Sequence, residues 1–462
     1  MSAQWLNSRG LQERIQVTGA LLLETPAHLG AGDSDGPLDM PLILDPLEGR
    51  ALLPGTSLAG ALRNHLAQID GRLADRLFGR VGDDESVGSW LIVDDALGSH
   101  PEVELRDGVE INPKTRTAED KKKFDIELLE AGTEFPLSLE LLVPENSPVD
   151  LIRASATALH GLETGAIRLG TRKRRGYGRC RVTRWNVRRY DLTTPKGVIA
   201  YLESDPTGEA AGDRICSLLG VAPLDEQPAP TLSFDGTFLI DGPLLIRSGS
   251  GDPDTPDFLH LHSRRAGKSA PVPVLSGTSL AGALRSRALR IVKTLGKDPQ
   301  IVPALFGRGP EDQGRKRPPK ASRLWTEETE IRDPLLRVQT RVKIDRLTGG
   351  SFPSALFSEQ PVFPQSTTRV HISFRVHEAK DKDVGLVLLL LKDLWTGDLP
   401  LGGESSIGRG RLAGERAELL YNGARWVLAD AGSGKIEVDG DREKLEAFVR
   451  AFAEEVANAA DN

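Results

Sequence analysis

The sequence predicts an α+β fold that occurs twice, as two homologous domains in tandem. Ten residues at Pro54–Arg63 (PGTSLAGALR) recur at Ser276–Arg285 as SGTSLAGALR. An LFGR tetrapeptide follows each copy, and each half closes with a segment rich in glycine and arginine, LGTRKRRGYGR at 169–179 and LGGESSIGRGR at 401–411. Matched signals in the same order, about 225 residues apart, indicate a duplicated domain.

The domain boundary is expected in a segment rich in proline and acidic residues, PLDEQPAP at 223–230. We therefore expect one domain over residues 1–225 and a second over residues 226–462. Two domains also suit a chain of 462 residues, because α+β domains often exceed 150 residues.

Composition indicates a soluble globular protein. The chain is 39% hydrophobic and 27% charged, and its longest apolar runs, such as 384–391, are too short to cross a bilayer. The first residues lack the basic and apolar regions of a secretory signal, so a cytoplasmic location without membrane contact is expected. Cys180 and Cys216 are too few for an all-cysteine zinc site and predict reduced thiols without a disulfide framework.

Each half predicts the same order of elements. Strands are expected first, then a loop, then a helix after the Thr-Ser pair of the repeated motif, with the hydroxyl side chains as its cap. Later strands and second helices follow in both halves. This order favours a ferredoxin-like or RRM-like sheet with helices on one face. The predicted strands are 14–23, 137–143, 231–240 and 370–376, and the predicted second helices are 149–162 and 384–394.

The repeated motif has two interpretations. It lacks the Gly-Lys-Ser/Thr ending of a Walker A loop, so nucleotide hydrolysis has little support. A glycine and hydroxyl turn that opens a helix still presents backbone N–H groups and the positive end of the helix dipole to a phosphate. The alternative is a simple helix cap with small residues for close packing.

Charge is uneven along the chain. The formal net charge of −7 argues against a protein that coats nucleic acid indiscriminately. Residues 168–189, however, contain ten Lys or Arg and no Asp or Glu. A solvated basic edge strand is one interpretation. The interleaved glycines favour RNA contact, because they let the backbone approach a phosphate closely.

Taken together, these motifs resemble the RAMP superfamily of CRISPR-Cas proteins. The resemblance rests on the stretch 28–63, the LFGR tetrapeptides, the segments 111–135 and 341–363, and the two closing glycine-rich segments. It covers nearly the whole chain and is most similar to the backbone subunits of type III effector complexes. Two such domains in one chain resemble the fused backbone subunits of type III-D-like complexes.

The resemblance implies partners and a reaction. Backbone subunits of this kind bind the CRISPR guide RNA beside other Cas subunits, and a thumb-like hairpin from each enters the duplex of guide and target RNA. Target RNA is cut beside each insertion, with an aspartate in a loop before the repeated motif as the catalytic residue. The matching position is Asp39, which implies a metal-dependent endoribonuclease with a divalent metal, Mg²⁺, as cofactor and unknown metal ligands. Asp33 and Asp35 are possible helpers, while Asp45 is expected in a turn.

In the second half the catalytic position is less evident. Asp257 is our choice because FLHLH can form the short strand that follows it, and Asp254 is the alternative. His260 and His262 alternate along that strand and favour packing or surface roles over catalysis.

The resemblance and the charges also predict RNA-binding residues. Lys343, Arg346 and 348–350, like Lys114 and Arg116, are expected on the hairpins. The first closing segment should bind RNA more strongly, because the second has Glu404 in the corresponding stretch. The predicted contacts are Thr56, Ser57, Arg63, Arg172, Lys173, Arg174, Arg175, Thr278, Ser279, Arg285 and Arg409.

Two other functions stay open at this point. One is a purely structural RNA-binding scaffold in which both aspartates are inert. The other is an endoribonuclease of the same superfamily that processes repeat RNA. Such processing enzymes usually depend on a histidine, and His28 lies at a strand end that packing explains better.

Overall fold

The computed structural model describes most of the chain, namely residues 10–32, 39–80, 88–112, 115, 117–145, 148–225, 229–249, 255–309, 311–312, 315–316, 318–432 and 435–454. Asp33, Asp35, Lys114, Arg116 and Asp254 lie outside the described residues.

The first half is built on an antiparallel sheet of five strands. Its order is Leu91–Val93, Glu134–Pro144, Leu11–Leu23, Cys180–Asp191 and Gly208–Gly212. The first four of these strands have the spatial order of a ferredoxin-like fold, in which the opening strand lies between the third and the last. The remaining strands are Leu52–Leu53, Ala96–Leu97, Val103–Ile111 and Ala118–Leu129, and the helices are Gly55–Ile69, Gly71–Phe78, Pro148–Glu163, Pro195–Leu202 and Ile215–Leu219, with a 3₁₀ turn at Lys173–Arg175.

The second half repeats this plan. Its opening strand, Leu232–Asp241, lies between Arg369–Val376 and Arg411–Tyr421, as the opening strand of the first half lies between its equivalents. The other strands are Arg247–Ser248, Phe258–His260, His262–Ser263, Val272–Leu275, Glu311–Asp312, Arg315–Lys316, Leu324–Thr326, Thr329–Arg332, Leu335–Leu336, Gln339–Ile344, Ser351–Gln360, Val362–Phe363, Ala424–Asp430 and Ile436–Asp439, and the helices are Gly277–Thr294, Ile301–Phe306, Asp381–Trp395 and Arg442–Ala453, with a 3₁₀ turn at Ser405–Ile407.

Apolar burial follows the duplication. One cluster of buried side chains is drawn from residues 15–219 and a second from residues 232–452. Alternation along the strands explains this, because every second side chain faces the helices while its neighbours face the other side of the sheet. The α+β prediction with tandem ferredoxin-like domains is confirmed, and the boundary near residue 225 stays a prediction.

The predicted cap of the first repeat helix is wrong. Helix Gly55–Ile69 begins after Pro54, which has no side chain to accept a hydrogen bond, and Thr56 and Ser57 lie inside the first turn. The Gly55 amide instead donates to the Asp95 carboxylate at 2.6 Å. In the second half Ser276, rather than the Thr-Ser pair, caps helix Gly277–Thr294, because its Oγ accepts from the Ser279 amide at 3.2 Å.

Each half carries a long antiparallel hairpin between the second and third sheet strands. The first hairpin joins Val103–Ile111 to Ala118–Leu129, and the second joins Gln339–Ile344 to Ser351–Gln360. Lys343, Arg346 and residues 348–350 lie on the second hairpin, as predicted. Both hairpins expose apolar side chains, among them Leu105, Val109, Ile111, Val342, Ile344, Leu347, Phe352 and Leu356.

None of the helices in the described part of the chain is long and apolar enough to cross a membrane.

Candidate functional site

The first closing loop, residues 168–179, forms one wall of a cleft of about 490 Å³ in the first half. The opposite wall comes from the start of the repeat helix, with Pro54, Ser57 and Asn64, and His28 and Gly30 complete the lining. On the loop side Lys173 and Gly170 face the cleft. The structure therefore brings two predicted RNA contacts, Ser57 and Lys173, to one place.

Glycine is required where this loop meets the sheet. Gly170 has φ +79°, and a Cβ there would lie 2.2 Å from the carbonyl oxygen of His28. Gly178 has φ +69°, and its Cβ would lie 1.8 Å from the carbonyl oxygen of Leu169. Only glycine combines a positive φ with so close a backbone approach. Gly170 and Gly178 thus fix where the cations between them lie.

The far end of the same loop contacts the second half. The Arg174 guanidinium donates to the Ser322 carbonyl at 2.5 Å and lies over the Trp325 ring. A Cβ on Gly277, the first residue of the second repeat helix, would lie 2.3 Å from the carbonyl oxygen of Arg175. The loop thus connects the repeat helix of the first half to the repeat helix of the second.

Four consecutive cations on this loop lack acidic partners. Among the described residues, no carboxylate lies within ion-pair distance of Arg172, Lys173, Arg174 or Arg175. Burial lowers the pKa of each of the four, and for Arg175 the neighbouring charges of Arg285 and Arg172 lower it further. Uncompensated, partly desolvated cations beside two helix N-termini are suited to bind a polyanion.

The other predicted contacts differ in accessibility. Thr56 is exposed, and Thr278 and Ser279 are half-buried at the start of the second repeat helix. Arg63 is half-exposed and forms an ion pair with Asp75 at 2.7 Å. Arg285 donates to the Gly307 carbonyl at 2.8 Å and has no acidic partner among the described residues. Arg285 is thus available for an anion, whereas Arg63 is partly neutralised.

Arg409 differs from the other predicted contacts because its side chain is only 2% exposed. It forms an ion pair with Glu359 at 2.8 Å and another with Glu404, and it donates to Gln339 at 2.8 Å. A buried guanidinium that is held by two acids does not face a phosphate. Arg409 is therefore not placed to contact RNA.

In each half one arginine lies between the hairpin and the closing loop, but the two halves place this arginine on different elements. In the first half Arg106 of the hairpin donates to the Tyr177 hydroxyl of the closing loop at 3.3 Å. The same places in the second half hold Gln339 on the hairpin and Arg409 on the loop. The buried cation has thus moved from the hairpin to the loop.

Asp39 lies at the base of the first hairpin. Its exposed carboxylate accepts from the Asp125 amide through Oδ2 at 3.0 Å, and the next residue, Met40, bridges in parallel to Ile126. No group of a described residue donates to Oδ1. A small apolar cluster of Met40, Phe124, Ile126, Leu128 and Tyr177 joins this loop to the hairpin and the closing loop.

Asp257 occupies the same place in the second half. Its Oδ2 accepts from the Ser358 amide at 2.7 Å and from the Ser358 hydroxyl at 3.1 Å, and the next residue, Phe258, pairs in parallel with Glu359. These bonds to Ser358 hold the pKa of Asp257 below its usual value. Both aspartates precede a short strand that pairs with the second strand of a hairpin, so the structure makes them equivalent.

The described residues around Asp39 do not form a metal-binding group. Asp107 and Asp125 face each other across the hairpin near Asp39, and Lys123 lies between them, 3.5 Å and 3.8 Å from their carboxylates. Among the described residues no three His, Cys, Asp or Glu side chains form a group that could hold a metal ion. The described carboxylates therefore do not fit a tightly held ion.

The histidines are part of the packing. His260 is 1% exposed, with Nε2 3.0 Å from the Val274 carbonyl oxygen, and burial lowers its pKa to about 4. His28 is 2% exposed and its Nδ1 lies 2.8 Å from the Glu127 carbonyl oxygen. Asp45 accepts from the amides of Leu47 and Glu48, which confirms its turn role.

Sequence reasoning missed the residues that join the halves. Arg106 crosses from the first hairpin to Glu328 and to the Ser263 hydroxyl, and Arg168 forms an ion pair with Glu327. One signal was present, because SWLIVDD at 89–95 recurs as SRLWTEE at 322–328. Ser358, which holds Asp257, had no counterpart in the motifs.

Comparison with known proteins gives two curated relatives, both described as CRISPR system Cms endoribonuclease Csm3. The protein from Mycobacterium tuberculosis is 33% identical over 76 residues, 16% of this chain and 32% of that protein. The protein from Streptococcus thermophilus is 32% identical over 101 residues, 19% of this chain and 46% of that protein. The chain thus spans between a third and a half of the length of these relatives.

The family comparison extends much further along the chain. The RAMP superfamily matches residues 21–181 and again residues 237–413. The two matched regions begin in the two opening strands and end in the last strands of the two ferredoxin-like sheets. Since they cover most of the sequence and repeat in tandem, the chain belongs to the RAMP superfamily.

Proposed function

We propose that this chain is a backbone subunit of a type III CRISPR ribonucleoprotein, with two backbone domains fused in tandem as in type III-D-like complexes. In this proposal it binds guide RNA and cleaves the paired target RNA at Asp39 and Asp257. The observation that carries the proposal is the equivalence of the two aspartates, each anchored by one carboxylate oxygen to the base of a hairpin. Csm3 relatives are described as endoribonucleases, which supports the same chemistry here.

Guide RNA would follow the basic loop that links the two repeat helices. Beyond the cleft beside Ser57 and Lys173, the loop reaches the start of the second repeat helix, where Arg175 lies close to Gly277 and to Arg285. Backbone amides, hydroxyls and unpaired cations along this path can bind phosphates without reading base identity. Sequence choice would then rest on base pairing between guide and target, as in other guided systems.

The hairpins suit a role in the RNA duplex. Exposed apolar side chains such as Leu347 and Phe352 are costly in water but can pack against bases. A hairpin inserted between base pairs would displace a nucleotide of the target RNA. Asp39 or Asp257, where the hairpin begins, would then lie beside the displaced nucleotide.

The aspartates can act in RNA cleavage through their free oxygens. With Oδ2 fixed by a backbone amide, Oδ1 can accept the proton of a target 2′-hydroxyl. The 2′-oxygen then attacks the adjacent phosphorus and the bond to the 5′-oxygen breaks, which leaves a 2′,3′-cyclic phosphate and a 5′-hydroxyl on protonation. General base catalysis of this kind typically contributes 10²–10⁴-fold. The divalent cation that the resemblance implies stays a proposal apart from this step, because the described carboxylates form no group that could hold it.

The test is cleavage of labelled RNA complementary to the bound guide, by complexes that carry Asp39→Asn, Asp257→Asn or both. Asparagine keeps an oxygen to accept from the amide of Asp125 or Ser358 but cannot take a proton. Each single variant should lose one distinct cut by about 10²-fold or more while guide and target stay bound. Asp430→Asn is the matched control, because Asp430, the last residue of strand Ala424–Asp430, is also an exposed aspartate that accepts a hydrogen bond from a backbone amide, that of Gly432.

Two further readouts separate the alternatives. Cuts that persist unchanged in the double variant would contradict the nuclease role and favour a structural scaffold. Cleavage in magnesium and in chelator tests the proposed cation, and cutting that survives chelation would remove it from the mechanism. Cleavage of repeat RNA instead of guide-paired target would point to the processing function.

A further inference from the structure

The contact between the two halves of this chain is electrostatic. Arg264 of the second half pairs with Glu102 and Glu130 of the first, but around one segment of the second half the cations come from the first half. The first half contributes arginines, Arg106 from its hairpin and Arg168 and Arg174 from its closing loop. The second half contributes the acceptor segment Ser322–Glu328. Glu327 pairs with Arg168 and Glu328 with Arg106, and the Trp325 ring lies 5.4 Å from the Arg168 guanidinium and 5.5 Å from that of Arg174. This pattern defines a cationic leading face and an acidic acceptor face.

The first half has its own copy of the acceptor segment. Ser89 donates through Oγ to the carbonyls of Leu77 and Leu91, as Ser322 does to those of Leu305 and Leu324. The segments therefore have the same conformation and place in the two halves. Ile92, Asp94 and Asp95 thus correspond to Trp325, Glu327 and Glu328.

This first acceptor segment is exposed within the described part of the chain. Ile92 is 42% exposed, and Asp94 and Asp95 are both exposed. Asp94 accepts from the Ser138 hydroxyl and Asp95 from the Gly55 amide, but no described cation lies within ion-pair distance of either. In the second half the equivalent glutamates are fully paired with arginines.

The leading face of the second half lacks the matching charges. Its 3₁₀ turn Ser405–Ile407 follows a left-handed residue, Glu404 at φ 60°, just as Lys173–Arg175 follows Arg172 at φ 52°. The sequence at this turn is SSI instead of KRR. The hairpin position of Arg106 holds Gln339, and the loop position of Arg168 holds Pro400. The described arginines near this turn, Arg247, Arg341 and Arg409, are already held by Glu359 and Glu404.

We infer that the face formed by Ile92, Asp94 and Asp95 docks a different protein chain, which presents arginines on a glycine-rich loop and on a hairpin. A second copy of this chain would offer serine, isoleucine, glutamine and an acid at those places, and would leave Asp94 and Asp95 unpaired. Complementary charge favours docking of the arginine-bearing chain, and the lack of matching cations disfavours docking of a second copy. The chain therefore enters its assembly as a single copy at this face.

The inference rests on the proposed function only in that the chain works within a multiprotein complex. A photo-crosslinking residue at position 92 tests it in the complex purified from the host through the tagged full chain. Mass spectrometry then identifies the crosslinked peptide. We expect a glycine- and arginine-bearing loop of another protein, and we expect the purified chain alone to be monomeric by light scattering at tens of micromolar.

A charge-reversal variant provides a second test of the inference. Asp94→Lys should cause loss of the crosslinked neighbour from the complex, whereas Glu437→Lys, an exposed acid on another face, should retain it. A crosslink to residues 405–408 of a second copy, no protein crosslink at all, or an unchanged complex with Asp94→Lys would each overturn the inference. Guide content and target cutting, measured on the same preparations, report separately on the proposed function.

Discussion

Arg106 of the first hairpin and Glu328 of the second half form a buried ion pair across the contact between the halves, with Nη2 and Oε1 2.9 Å apart. Arg265 reaches the same Glu328 oxygen from the second half at 2.8 Å. Burial alone would raise the pKa of Glu328, but the charges of Arg106 and Arg265 and their hydrogen bonds hold it below its usual value. The acid therefore stays ionised at the centre of the contact.

We predict that Glu328→Gln destabilises the chain. The substitution leaves Arg265 in a buried site without its counterion and Arg106 with Glu104 alone, and loss of one partner of a buried pair typically costs about 3–5 kcal/mol. The free energy of unfolding, measured by urea titration, should fall by about 3–5 kcal/mol. Thermal unfolding should also separate the halves into two transitions, because the lost pair joins them.

The control for this prediction is Glu418→Gln. Glu418 pairs with Arg425 at 2.6 Å, but both side chains are largely exposed. Exposed pairs contribute about 0–1 kcal/mol, so this variant should unfold nearly as the parent does. Equal losses for the two variants would mean that the Glu328 pair has no special role.

We predict that Gly176→Ala weakens the contact between the halves and that Gly408→Ala does not. Both glycines have a positive φ, +91° and +86°, so alanine is strained at either. Only at Gly176 would the added Cβ meet the other half, 2.5 Å from the Glu328 amide nitrogen, whereas nothing lies within 4 Å at Gly408. Limited proteolysis between the halves should therefore accelerate only for Gly176→Ala, and acceleration in both would attribute the effect to backbone strain alone.

We predict that the double variant Lys173→Ala with Arg175→Ala binds guide RNA more weakly and with less salt dependence. Each lost phosphate contact should lower the slope of log K against log salt by about 0.7 for single-stranded RNA. Fluorescence anisotropy of labelled guide with the full chain measures this. Arg188→Ala is the control within the same basic segment, because Glu209 already pairs with Arg188 at 2.9 Å. If the slope of log K against log salt is the same in the double variant as in the parent chain, these side chains do not contact the RNA.

We predict that the stability of the chain falls as the pH drops from about 6.5 to about 4, partly through His260. The unfolded chain binds a proton at this residue near pH 6.5, while burial lowers the pKa in the folded state to about 4. Because the unfolded state binds more protons in this window, unfolding is favoured as pH falls, by on the order of 3 kcal/mol in total. In urea titrations across this pH range, the free energy of unfolding of His260→Gln should change less with pH than that of the parent. An equal change with pH in both proteins would contradict the role of His260.

The fold was largely predictable because both halves obey the same simple periodicities. Alternation along 231–240 and helical spacing after the repeated motif reflect burial of one face, and the structure has those elements within one or two residues. The cap was mispredicted because hydroxyl residues are common at that position, whereas here a carboxylate from 40 residues further on, Asp95, fills it. A long-range side chain leaves no local signal in the sequence.

The candidate site was predicted in part. Sequence reasoning proposed Asp39 and Asp257, and the structure makes them equivalent through partners it could not identify, the Asp125 and Ser358 amides. It treated the four cations 172–175 as one RNA-binding unit, yet Arg174 also contacts Ser322 in the other half. The burial of Arg409 depends on Glu359, Glu404 and Gln339, which are distant in sequence and come together only through the hairpin and the closing loop.

The exchange of Arg106 and Tyr177 for Gln339 and Arg409 has an evolutionary consequence. In the second half an arginine introduced at Gln339 would lie beside Arg409, and loss of Arg409 would leave Glu359 and Glu404 with only the more exposed Arg247 and Arg341 as partners. The residue that is tolerated at one of these positions therefore depends on the residue at the other. The two copies have diverged in a coupled way, and this coupling restricts the exchange of single residues between them.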